Sequence, residues 1–367
     1  MQVPLLDIKT QNAALEPAFT QAFQRVFQSG KFILGEEVEG FEREVALYTG
    51  AKHAIGLSSG TDALLVAFMA LEIGAGDEVI CPTYTFFASA GCIARTGATP
   101  VFVDSREDTF NLDPLKLEEK ITAKTKAILA VHLFGQAAAM NEIQEIAKRH
   151  NLPVIEDAAQ TLGAHYHDKA VGTMGCFGTY SFFPSKNLGG FGDAGLLVTN
   201  DDALAEKAIR LRNHGMHPKY YHSMIGGNFR IDALQSALLR VKLPHLDAYC
   251  AKRAKNAELY KKLLAEVGSV ILPTTSSGNH HIWNQFTLRV KNGKRDALRE
   301  FLATHEIGSE IYYPVPMHQQ ECFRYLGCKP EDFPIASQLA GEALSIPVYP
   351  ELEERQVEYV AEKIREF

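Results

Sequence analysis

Between Ala54 and Asn200, short apolar or β-branched runs alternate with segments of helical period: AIGLSS, EVICPTY, TPVFVD, KAILAVHLF, LPVIEDA, GTYSFF and AGLLVTN. The alternation predicts a mostly parallel sheet covered by helices on both faces. In TDALLVAFMALEIGAG, Leu64, Leu65, Phe68 and Leu71 fall at helical spacing and Gly74 is the expected stop. MNEIQEIAKRHN puts Ile143, Ile146 and Ala147 on one face ahead of the next strand, the pattern of a crossover helix.

Beyond Asn200 the pattern changes. DDALAEKAIRLRNHG reads as a capped helix, and the glycine-containing loop MIGGNFRID leads into a helical stretch from about Ile231 to Glu266, with a kink expected at Pro244. IWNQFTLRV, an amphipathic helix around Asp296 to Thr304, and a charged terminal helix near ERQVEYVAEKIREF then predict a smaller α+β unit. The expected division is a large domain over residues 1–245, N-terminal segment included, and a small C-terminal domain over 246–367. A length of 367 residues suits two such units.

Composition narrows the function. Hydrophobic residues at 46% and charged residues at 22% are ordinary globular values. The net charge of -7 gives no general attraction to nucleic acid or anionic membrane. The N-terminus MQVPLLDIKTQNAAL lacks a positive region followed by an apolar core, and no apolar run approaches a membrane span, so the expected location is the cytoplasm. The six cysteines contain no C-x-x-C pair and are expected as reduced thiols. No histidine is accompanied by ligands at metal spacing, so no metal is expected.

Ligands collect at the carboxyl ends of strands in open α/β sheets, and four strand ends carry polar or aromatic groups. SSGT (Ser58 to Thr61) ends the first strand where a helix begins; free N–H groups there favour an anion, although a simple helix cap has the same signature. CPTYTFFASA offers Tyr84, Phe86 and Phe87, for stacking on a planar group or for core packing. VIEDAAQ leaves Glu156 and Asp157 after an apolar strand, a costly location without partners. The fourth, SFFPSKNLGGFGDAG, carries Ser181 and Lys186. Its Gly190, Gly192 and Gly195 spell G-x-G-x-x-G, but the strand-like LLVTN follows where a dinucleotide fingerprint needs a helix, so the match is read as accidental.

A phosphate cradle, an aromatic plane, a carboxylate and a lysine at one sheet edge are what pyridoxal 5'-phosphate (PLP) requires. The lysine amine binds the cofactor covalently, and the carboxylate keeps the pyridine nitrogen protonated.

The set SSGTDAL, EDAAQ, SFFPSKNLGGFGDAG and GGNFRID, with the opening VPLLDIKTQ, resembles the DegT/DnrJ/EryC1/StrS family over essentially the whole chain. The resemblance implies PLP-dependent transferase fold type I and a cytoplasmic homodimer with shared active sites. It implies activity on nucleotide sugars bound for lipopolysaccharide, other cell-surface polysaccharide or secondary metabolites. By this resemblance Lys186 carries PLP, Asp157 pairs with the pyridine nitrogen, Gln160 reaches the ring hydroxyl and Phe86 stacks on the ring. Gly60, Thr61 and Ser181 bind the phosphate, and Asn228 reaches it from the partner subunit. Arg230 is a candidate for the carboxylate of the amino donor, with a surface or interface arginine as the alternative. Tyr312, Tyr313 and His318 resemble the family's segment near the sugar, with a core role open for the tyrosines.

Related sugar dehydratases have histidine where Lys186 stands, so the lysine favours transamination with L-glutamate as donor. The lysine segment resembles the branch acting on 3-keto dTDP- or UDP-hexoses more than the 4-keto branch. A PLP-binding regulator without catalysis is the alternative outside enzymology.

Overall fold

The computed structural model describes residues Met1–Phe367. The seven predicted runs all form strands of one sheet: β1 (His53–Leu57), β2 (Glu78–Pro82), β3 (Thr99–Val103), β4 (Thr125–Val131), β5 (Val154–Asp157), β8 (Phe177–Ser181) and β9 (Gly195–Thr199). Between the last three, β6 (His165–Tyr166) and β7 (Lys169–Ala170) make a short hairpin outside the sheet. The order is β1-β9-β8-β5-β4-β2-β3. Only β9 runs against the others, antiparallel to both β1 and β8. Along β4, Ile128 and Ala130 join one core cluster while Ala127, Leu129 and Val131 join another, so the sheet is buried on both faces.

The helix after β1 spans Gly60–Ala70 and stops earlier than expected: its cap is Leu71, and Glu72 takes the left-handed turn (φ 57°) in place of Gly74. The crossover helix is Met140–Arg149. Pro244 interrupts the long helical stretch as anticipated. Ala233–Lys242 and Leu246–Leu264 are separated by the tight turn Leu243–His245, because proline cannot donate the hydrogen bond that would continue the first helix.

The C-terminal part adds β10 (Val270–Ile271), β11 (Asn279–His280), β12 (Phe286–Val290) and β13 (Ala343–Ile346). The antiparallel sheet β10-β12-β13 packs with the helices Leu246–Leu264, Arg295–Thr304 and Glu354–Glu366 in a third core cluster. Two segments cross the division expected at 245/246. Val3 is fully buried in the small-domain cluster and pairs with Ile307, so the chain's first residues belong with the C-terminal unit rather than the large domain. Conversely, Tyr313, Met317, Phe323, Phe333 and Leu339 pack into the large-domain core, and Asp104 accepts from the N–H groups of Ile335 and Ala336 at the start of the helix Pro334–Glu342.

Candidate active site

The carboxyl ends of β1, β2, β5 and β8 converge on one edge, and the reversed β9 contributes its first residue there. Gly195 pairs with Leu57 on one side and Ser181 on the other. A Cβ on it would lie 2.2 Å from the carbonyl carbon of Ser59, so only glycine lets β9 pass beneath the turn that opens the helix Gly60–Ala70. This brings Gly60 against Ser181, where a Cβ on Gly60 would stand 2.7 Å from the Ser181 Cβ. Ser59 caps the helix by accepting from the Asp62 N–H, leaving the Gly60 and Thr61 N–H groups at its positive end beside the Ser181 hydroxyl.

Asp157 ends β5, paired with Val131 and Thr179 on the flanking strands. It is 6% exposed and accepts from the Ser89 hydroxyl at 2.8 Å and the Ala159 N–H at 3.3 Å. Burial pushes its pKa up; hydrogen bonds from Ser89 and Ala159 and the positive charge of Lys186 pull against that. Ser89 is steadied by Thr85 at 3.1 Å. Neither residue belongs to a motif that marks it in the sequence; their one signal is two hydroxyls within the apolar TFFASA, where buried polar groups need partners.

The neighbouring Glu156 is entirely structural. Its carboxylate accepts from the N–H groups of Gly172, Met174 and Gly175 and from His132 Nε2, whose Nδ1 accepts from Ala138. Alternation along the strand sends the two carboxylates to opposite faces.

Lys186 sits in the turn after β8, its N–H donating to Phe183 O at 2.8 Å. Desolvation lowers its amine from the ordinary 10.5 to about 8, opposed by the negative charge of Asp157. Of the three rings after β2, Tyr84 is buried edge-on to Tyr313, Phe87 leans on Phe323, and Phe86 is left 59% exposed.

Gln160 is less free than the sequence suggested. Its carbonyl accepts from the Phe134 N–H, and its amide donates to the Tyr313 hydroxyl at 2.8 Å. Tyr313 is itself buried and stacked on Phe134. Tyr312 is 37% exposed, beside Ser185 and Gln285. His318 is 3% exposed, bonded to the Thr83 hydroxyl at 2.7 Å and packed on Phe333, so that it ties its loop to the end of β2.

Asn228 and Arg230 lie in their own chain beside the end of β1: Ser58 N–H donates to Phe229 O, and Arg230 bridges Leu57. Both line a cleft of about 360 Å³ with Ser58, Asp193, Asp232 and Gln235. The Arg230 guanidinium already donates to Asn213 Oδ1, and the two aspartates in the cleft oppose a further carboxylate.

The fit to PLP rests on the donor set. Asp157 is a buried carboxylate whose two hydrogen-bond donors, Ser89 and Ala159, are both neutral, and such a charge calls for a cation. A protonated pyridine nitrogen is one. A helix N-terminus with a hydroxyl suits the phosphate, and a desolvated amine suits the aldehyde carbon. The glycine triplet forms no dinucleotide loop, since β9 rather than a helix follows it.

The model of the DegT/DnrJ/EryC1/StrS aminotransferase family matches residues 14–365. The chain is 50% identical to a pleiotropic regulatory protein of Geobacillus stearothermophilus, covering 100% of this chain and 99% of that one. It is 44% identical to dTDP-3-amino-3,6-dideoxy-alpha-D-galactopyranose transaminase of Aneurinibacillus thermoaerophilus, over 100% and 99%. Among solved structures, DesV of S. venezuelae, in complex with a ketimine intermediate, superposes with a TM-score of 0.97 at 42% identity, over 100% and 98%.

Proposed function

The chain belongs to the DegT/DnrJ/EryC1/StrS aminotransferase family, and from that membership we propose a PLP-dependent transfer of an amino group from L-glutamate to C3 of a 3-keto hexose carried on dTDP or UDP. PLP is the cofactor. The observation that carries the reading is that one sheet edge brings together a desolvated Lys186 amine and the buried Asp157 carboxylate, without a direct contact between them.

When bound, PLP supplies the electron sink that makes a Cα–H bond of the amino donor acidic. Asp157 would hold the proton on the ring nitrogen. The Gly60 and Thr61 N–H groups and the Ser181 hydroxyl would bind the phosphate, and the exposed Phe86 ring would be free to stack on the cofactor. Gln160 keeps Tyr313 with one amide proton and has a second to give the ring hydroxyl. Lys186 Nζ, its proton affinity brought down to about 8, would take the proton from the donor Cα and return it to the cofactor in the first half-reaction, and in the second would carry a proton from the cofactor to C3 of the sugar. Tyr312 and Tyr313 border the sugar side, the first at the surface and the second beneath it.

The test is a panel of 3-keto and 4-keto nucleotide sugars with glutamate, the products followed by mass. An amine from the 3-keto members is expected. Products from 4-keto sugars alone would move the chemistry to C4. A protein that binds PLP yet aminates nothing would turn the reading toward regulation, the direction suggested by the name of the Geobacillus relative. No helix is long and apolar enough to cross a membrane.

Part of the same proposal is a homodimer in which exposed Asn228 touches the phosphate of the other subunit's site. Cofactor binding and dimerisation are then linked, because a ligand favouring the dimer is favoured by it. Asn228→Ala is expected to weaken PLP retention, with cofactor released on dilution. Inactive Lys186→Ala subunits mixed with inactive Asn228→Trp subunits should regain part of the activity through one native composite site. Heterodimers that form without any regain would show that each site is built from one chain.

A further inference from the structure

Asn187, next to the lysine, is 4% exposed, and its amide is engaged with a distant segment and, through Nδ2, with Cys250 Sγ at 3.5 Å. Its Nδ2 donates to Ile282 O at 3.1 Å, and its Oδ1 accepts from Asn284 Nδ2 at 2.9 Å. That segment, residues 281–285, leads into β12 of the small sheet. It is gripped from behind by Arg253, whose Nη1 donates to the carbonyls of Trp283 and Asn284, both at 3.2 Å. Arg253 is buried, forms no ion pair with a carboxylate, and is spent on these two carbonyls; desolvation lowers its pKa to about 10.

The same segment also touches the other half of the site. Ile282 N–H donates to Gly135 O and Gln285 N–H to Phe134 O, while Phe134 N–H donates to the Gln160 carbonyl. The approach is close enough that a Cβ on Gly135, at φ 120°, would stand 2.8 Å from the amide nitrogens of Trp283 and Asn284. On its far side the lysine turn is held by Lys242, buried, donating to Gly189 O at 2.8 Å.

We propose that Asn187 is a positioning residue for the reaction, fixing the direction of the Lys186 side chain through the Arg253-held segment 282–284. The inference rests on the reading of Lys186 as the PLP-bearing residue. A lysine side chain has four rotatable bonds, so the aim of its amine depends on a backbone that does not turn. Three hydrogen bonds on the adjacent side chain, to Ile282, Asn284 and Cys250, remove that freedom. The same anchor holds Gln160, keeping the lysine and the ring contact in one frame. A displacement of about 1 Å at a reacting group can cost roughly 10²-fold in rate.

The experiment compares Asn187→Ala and Asn284→Ala with the native holoenzyme and apoprotein. Asn284→Ala removes one of the three bonds of the Asn187 side chain without altering any residue beside the lysine. Three quantities are read: kcat and KM for the nucleotide sugar, the rate at which apoprotein recaptures added PLP, and the thermal midpoint of the apoprotein. Both variants are expected to lose roughly 10- to 100-fold in kcat with KM within about twofold, and to recapture PLP correspondingly more slowly. Asn187→Asp, which keeps the acceptor for Asn284, should recover part of the loss. Native kcat and recapture in both variants, with only a lowered thermal midpoint, would overturn the proposal and leave Asn187 a fold-stabilising contact. Should Asn187→Ala not fold, Asn284→Ala decides by the same readings. If native protein carries PLP on another lysine, the reading of Lys186 fails instead, a result visible by peptide mapping before any Asn187 variant is made.

Discussion

Lys186→Ala is expected to give a folded, colourless protein that holds no PLP covalently and turns over no substrate. The side chain ends in the turn after β8 and contributes only its amine, while the turn is kept by the Asn187, Gly189 and Gly190 contacts, which the substitution leaves untouched. Two losses combine: the covalent anchor, and proton transfer by a positioned base, the latter alone worth roughly 10²–10⁴-fold. The native apoprotein supplies an independent check. The nucleophile is the neutral amine, and with its pKa lowered to about 8 that form grows in as pH rises toward 8 and is dominant above it, against 10.5 for an ordinary lysine. PLP capture should therefore accelerate with pH and level off just above 8. A rate still climbing steeply at pH 10 would mean that the amine is not desolvated. Borohydride reduction followed by peptide mapping locates the attachment, and a pyridoxyl group on any other lysine would remove Lys186 from the reaction.

The sheet was legible because a strand buried on both faces must be apolar throughout, and seven such runs stand out between Ala54 and Asn200. Pro244 was legible for an equally local reason. Strand order and the reversal of β9 were not, since both depend on pairings between residues far apart, such as Gly195 with Leu57. Glu72 could displace Gly74 as the turn residue because the left-handed region is only mildly unfavourable for a non-glycine residue, a cost that packing can override. Within the site, backbone-adjacent signals carried the reading: strand ends, a helix start, a lysine between aromatics and glycines. What they missed were contacts made through the third dimension. Ser89 lies 68 positions from the Asp157 it donates to, Asn284 lies 97 from Asn187, and His318 lies 235 from Thr83. A histidine in PVPMHQQ carries no mark that it will be enclosed, whereas its burial decides what it can touch.

Asp157→Asn isolates the charge from the geometry. The amide is nearly the same size and its carbonyl oxygen can still accept from the Ser89 hydroxyl, so the end of β5 and its pairing with Val131 and Thr179 should persist and the thermal midpoint should change little. What the amide cannot do is hold a proton on a ring nitrogen opposite it. The native carboxylate is well placed to do this because it is enclosed: burial raises its own pKa, and a cation brought alongside relieves the desolvation while receiving an electrostatic contact little weakened by water. Removal of one preorganised electrostatic partner in such an environment costs roughly 10²–10³-fold in kcat, and a loss of at least that size is expected here. PLP should still attach, since Lys186, the helix N-terminus and Ser181 are unchanged, so the variant should remain coloured while turning over slowly. Native kcat at full PLP occupancy would show that the carboxylate serves only to hold Ser89 and the start of the helix Phe87–Arg95, and that the ring nitrogen is protonated without it.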